Sequence, residues 1–149
     1  MNSRRISAVG ISHAQSFIIF GGYDPTEIKR FSSTEIITEQ GVSAGPDMPE
    51  AVSQHAIARV NETTSILSGG YTSGTSAKTW FFNHVSQQFQ AGPTLITGRY
   101  GHASATIQDK VTKENIVAVF GGVAHNYIDS TELLINGESE WQQGKNHVK

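Results

Sequence analysis

The chain contains no cysteine. That excludes disulfides, thiolate zinc sites and cysteine nucleophiles together, and it makes a reducing, cytoplasmic setting the expected one. Charge is sparse, at 16% of residues, and the formal net charge is only -2. With no basic stripe, nucleic acid is not expected as a partner. No stretch approaches the roughly 20 apolar residues that a helix needs to cross a bilayer, so no membrane partner is expected either. The first residues, Met-Asn-Ser-Arg-Arg-Ile-Ser, carry the charges of a signal peptide without its apolar segment. One glycosylation triplet is present, Asn61-Glu62-Thr63, and such triplets arise often by chance.

What is present is a repeat. A short apolar run ending in two glycines occurs three times: Phe17-Ile18-Ile19-Phe20-Gly21-Gly22, Ile66-Leu67-Ser68-Gly69-Gly70 and Val117-Ala118-Val119-Phe120-Gly121-Gly122. The period is about fifty residues, and three copies at that spacing carry far more weight than one glycine pair. The surroundings recur in step. About twenty residues after each pair stands a large or branched apolar residue, Val42, Phe89 or Trp141, and three residues later a glycine, Gly45, Gly92 or Gly144. Pro46 and Pro93 follow in the first two copies, and Lys145 in the third. Ser33-Thr34-Glu35-Ile36-Ile37 matches Ser130-Thr131-Glu132-Leu133-Leu134, whereas the second copy has Lys78-Thr79-Trp80-Phe81-Phe82 and loses the glutamate. His55 and His102 open corresponding strands, and a gapless alignment puts Ser7 in their place in the first copy.

Each copy therefore predicts four short strands in the same order. The segments are rich in Val, Ile, Phe and Thr and are bounded by Gly, Pro, Asn, Asp or Ser. None sustains helical spacing. The runs before the glycine pairs are apolar on both faces, which suits strands covered on both sides by neighbouring sheets.

This pattern resembles the kelch repeat: an apolar strand to Gly-Gly, Ser-Thr-Glu before another strand, an aromatic followed by Gly-Pro, and an Arg-x-x-His opening, fullest in Arg99-Tyr100-Gly101-His102. The likeness runs from about Ser7 to Gly144, with departures at Ser7 (histidine place), Val52 (arginine place), Trp80 (glutamate place) and Lys145 (proline place). The resemblance implies an all-β fold of three four-stranded kelch blades, a partial β-propeller, with blades at about 1–45, 46–92 and 93–149. Propellers close with roughly 4–8 blades, so three would leave two apolar faces bare. Three resolutions follow: a fragment of a larger propeller, a homodimer closing a six-bladed ring, or an open stack. A start a few residues before the first strand is what a truncation would produce.

The candidate chemistry is thin. His55 and His102 sit at equivalent repeat positions and are expected as buried structural contacts. His13, His84, His125 and His147 fall in predicted turns or tails and share no spacing, so no metal site is expected. Ser68-Gly69-Gly70 is strand plus turn, not a nucleophile elbow, and the glycine pairs lack the Lys-Ser/Thr of a phosphate loop. Glu35 and Glu132 read as hydrogen-bonded blade residues rather than an acid–base pair, and Trp80, Phe89 and Trp141 as core. No cofactor is expected. Some kelch-like propellers are enzymes, but galactose oxidases need a cysteine that this chain lacks, and sialic-acid mutarotases need a cavity lined from several blades. The resemblance thus favours a non-catalytic protein–protein interaction module, with a carbohydrate-active propeller as the alternative. Binding would use loops on one face. These include Asp24, Lys29, Thr72, His125, Asn126, Asp47, Met48 and Tyr100, with Tyr23, Arg30, Tyr71, Arg99 and Tyr127 as the candidate contacts because Tyr and Arg dominate interface hot spots.

Overall fold

The computed structural model describes residues 1–144, and Lys145 and His147 of the sequence reading lie outside them. Those residues are all-β, without a helix. In the first repeat, β1 (Val9–His13) and β2 (Ser16–Phe20) are followed by a two-stranded ribbon, β3 (Tyr23–Asp24) and β4 (Lys29–Arg30), and then by β5 (Thr34–Thr38) and β6 (Gly41–Ala44). The second repeat supplies β7 (Ala56–Arg59), β8 (Thr64–Ser68), β9 (Thr79–Asn83) and β10 (Gln88–Ala91). The third supplies β11 (Ala103–Gln108), β12 (Asn115–Phe120), β13 (Thr131–Ile135) and β14 (Gln142–Gln143). Each repeat forms one four-stranded antiparallel sheet, ordered β1-β2-β5-β6, β7-β8-β9-β10 and β11-β12-β13-β14.

Strand alternation sorts the side chains into two apolar layers. Ile18, Phe20, Met48, Val52, Leu67 and Phe82 fill the space between the first and second sheets. Ala58, Val60, Ile66, Leu95, Val117, Val119, Leu134 and Trp141 fill that between the second and third. In the central strand β8, Ile66 and Leu67 point into opposite layers and both are buried. The doubly apolar pattern has a different outcome in β2 and β12, which have only one sheet neighbour: Phe17 and Phe120 remain 42% and 43% exposed.

The register corrects the gapless alignment of the first repeat. Val9 pairs with Phe20, Ala56 with Ser68 and Ala103 with Phe120. The β1–β2 hairpin is one residue shorter than β7–β8, so Ala8, not Ser7, stands in the place of His55 and His102. Ser7 instead matches Gln54 and Gly101, and all three have φ between 53° and 62°. The same shift puts Arg5 in the place of Val52 and Arg99, a match that the unadjusted spacing hides.

The second glycine of each pair allows a close approach as well as an unusual backbone. Gly70 has φ 99°, and a Cβ there would lie 2.5 Å from Val52 Cγ2 and 2.8 Å from His55 Cβ. We expect Gly70→Ala to cost about 2 kcal/mol or more, from positive-φ strain and overpacking combined. A urea titration measures it, and an unchanged midpoint would contradict this account.

Candidate partner-binding surface

Immediately after the double glycines the chain enters short ribbons. In the first, Tyr23 pairs with Arg30 across β3–β4. Its counterparts are isolated bridges, Tyr71 with Thr75 and Val123 with Tyr127. Arg30, Thr75 and Tyr127 are thus equivalent positions on successive repeats.

Arg30 joins two repeats. Its guanidinium carbon lies 5.3 Å from the centre of the Tyr23 ring and 4.7 Å from that of Tyr71. Its Nε donates to Ser53 Oγ at 3.3 Å. Tyr71 in turn meets Tyr100 edge to face, with centroids 5.3 Å apart. Tyr23, Arg30, Tyr71 and Tyr100 are all half-buried, so each keeps part of its side chain in solvent. The result is a continuous row of three tyrosines and one arginine running from the first sheet to the third. Cation–π contact at such sites contributes about 0.5–1 kcal/mol and holds the guanidinium in place.

Of the five sequence candidates, Tyr23, Arg30 and Tyr71 come together. Tyr127 is 92% exposed and makes no aromatic contact among the described residues. Arg99 has to be withdrawn as a surface contact. Its side chain is fully buried, with Nη1 donating to the Gly121 and Ser130 carbonyls at 3.0 and 2.9 Å and Nη2 to Ser130 Oγ at 3.0 Å and Glu132 Oε1 at 2.7 Å. A buried charge demands this kind of pairing, so the residue is committed to the interior. Met48 is also interior rather than loop surface. Asp24 is buried, and its carboxylate accepts the Thr26 N–H at 2.7 Å to hold the ribbon turn. Tyr100 and Ser53 were not among the five. The first had a signal, its place beside Arg99 in an inter-repeat loop, and the second had none.

His55, His84 and His102 are interior fittings, whereas His125 is exposed. His102 Nε2 and Ser68 Oγ share a hydrogen bond of 3.0 Å, and His84 Nε2 and Ser65 Oγ one of 2.8 Å. Both serines are buried, and Nδ1 of each ring has no partner, so neither Ser–His pair has the third group that would orient the imidazole. Burial drives the His84 ring down to about 4, helped by His13 and Arg59. His13, which shares no sequence spacing with it, stacks on it at 4.6 Å. Among the described residues no three His, Asp or Glu side chains converge as metal ligands would.

No family model matches this chain, and none of the curated proteins does.

Proposed function

We propose that the chain forms three kelch-type blades of a partial β-propeller and works as a non-catalytic module that binds another protein through the Tyr23–Arg30–Tyr71–Tyr100 row. The blade reading is supported by three four-stranded antiparallel sheets, one per repeat, packed through two apolar layers. The interaction reading is carried by one observation: Arg30 is gripped by tyrosines of two successive repeats yet remains half exposed. Tyr and Arg are the residue types on which interface energy concentrates, and holding them in place beforehand lowers the entropy lost on binding. Tyr127, at the position equivalent to Arg30, extends the same edge on the third repeat.

Affinity capture with the wild-type chain and with Arg30→Ala tests the proposal. We expect a specific protein partner whose affinity drops by about 2 kcal/mol, near thirtyfold, in the variant, with thermal stability changed little. Equal enrichment by both chains would remove the row from the interface. A glycan array separates the carbohydrate alternative: a sugar held by the wild type and lost in Arg30→Ala would replace protein with carbohydrate as the ligand.

A further inference from the structure

At both internal junctions between sheets the same backbone hydrogen bonds recur: Met48 to Ser32 and Leu95 to Ala77, each at 2.8 Å, and three more. The second glycine of one repeat donates to the carbonyl at the arginine place of the next: Gly22 to Val52 at 2.9 Å, and Gly70 to Arg99 at 2.8 Å. The N–H at that place donates back to the residue following the ribbon: Val52 to Phe31 at 3.2 Å, and Arg99 to Ser76 at 3.1 Å. The positive-φ residues form a third link, Gln54 to Ser7 at 2.9 Å and Gly101 to Gln54 at 2.8 Å.

The two ends of the stack hold the matching halves of a third junction. At the trailing end, the Gly122 N–H and the Ile128 and Gly101 carbonyls have no partner among the described residues. At the leading end, the same is true of the Arg5 carbonyl and of the Arg5 and Ser7 N–H groups. Donor faces acceptor at every one of the three places. The side chains match too. Phe120 is the register equivalent of Phe20, which is fully buried at the first junction against Phe82 and Phe89. Phe17 is the equivalent of Val117, which is 1% exposed at the second. Tyr127 would meet the leading sheet's Tyr23 as Arg30 meets Tyr71.

We infer that the trailing face of one chain docks on the leading face of a second copy, so that two chains make a closed two-fold dimer of six sheets. A head-to-tail contact closes only if its rotation does. That part rests on the propeller reading: rings of roughly 4–8 blades accommodate two chains of three sheets but not three chains.

Light scattering on a sizing column tests this with the wild type, Phe17→Asp, Phe120→Asp and an equimolar mixture of the two variants. The wild type should run at twice the 16.1 kDa chain mass at micromolar concentration, and each variant alone as a monomer with an unchanged β-sheet circular dichroism spectrum. The mixture should recover a dimer, because the intact trailing face of Phe17→Asp still fits the intact leading face of Phe120→Asp. A monomeric wild type, open polymers, or a dimer indifferent to both substitutions would overturn the inference. Should either variant unfold, Tyr127→Ala, at an exposed side chain, carries the same comparison and should raise the dimer dissociation constant about tenfold. Failure here would leave the Arg30-dependent capture of a protein partner untouched, so the two outcomes are separable.

Discussion

Arg99→Val is expected to destabilise the chain by about 3–5 kcal/mol, because it strands Glu132 in the interior without its counter-charge. Glu132 is fully buried and accepts the Ile96 and Thr97 N–H groups at 2.7 and 2.9 Å besides the Arg99 guanidinium. Arg5 and Glu35 repeat the arrangement in the first sheet: Asn2 and Ser3 donate to the carboxylate at 2.8 and 3.1 Å, and Arg5 Nη2 lies 2.9 Å from it. The second repeat dispenses with the whole unit. Val52 replaces the arginine, Trp80 replaces the glutamate, and Pro49, which has no N–H, stands where Asn2 and Ile96 donate. Glu50 stands where Ser3 and Thr97 do, and it accepts the Trp80 indole N–H at 3.1 Å and the Lys78 ammonium at 2.9 Å. The acceptor, one backbone donor and the cation were exchanged together, so no buried charge is left unpaired. Transplanting that solution into the third repeat, as Ile96→Pro, Thr97→Glu, Arg99→Val and Glu132→Trp combined, should recover at least half of the loss seen with Arg99→Val alone. Guanidinium unfolding of the two variants decides it. A combined variant no more stable than the single one would show that the second repeat's solution depends on neighbours outside these four positions.

Lowering the pH from 7 to 5 should cost on the order of 2 kcal/mol for each of two buried histidines, His55 and His102. Burial, assisted by the neighbouring His102, holds the His55 ring down at about 3. Burial, with Arg99 nearby and against a hydrogen bond that the ring donates to Ser68, holds His102 at about 4. Both ring nitrogens of His55 lack partners, so nothing compensates a charge there. The unfolded chain takes up these protons as the pH falls through about 6.5, while the folded chain stays neutral until 3–4. Stability is therefore complete above the unfolded value and drains away through that window. Glu35 acts lower on the scale. Burial pushes its carboxyl up, but the hydrogen bonds from Asn2 and Ser3 and the charge of Arg5 outweigh this and hold it below the ordinary carboxylate value. The interval from 7 to 5 thus belongs to the histidines. Thermal melts across it should show a marked decline, and His55→Leu should flatten the decline by about a third, because the buried His84, held at about 4, shares the loss with His102. A wild-type melting temperature constant from pH 7 to 5 would contradict the burial argument.

The sequence alone determined the strand content, the four strands of each repeat's main sheet and the order of the repeats, but not the β3–β4 ribbon of the first repeat. Short apolar segments between Gly, Pro and Asx turns leave the backbone no other economical way to pair its polar groups, and that information is local. It also carried the roles of Glu132 and His102, because a polar residue recurring with the fold is expected to serve the fold. Tertiary structure decided what depends on distant partners. Arg30 and Tyr71 belong to different repeats, so no spacing rule could bring them together. Arg99 resembled an interface residue by type and by loop, and its five interior hydrogen bonds make it structural. The first repeat's frame was settled by the shortened β1–β2 hairpin: strand register is fixed by cross-strand hydrogen bonding, and a one-residue change in a turn moves every aligned position while leaving the local pattern looking the same.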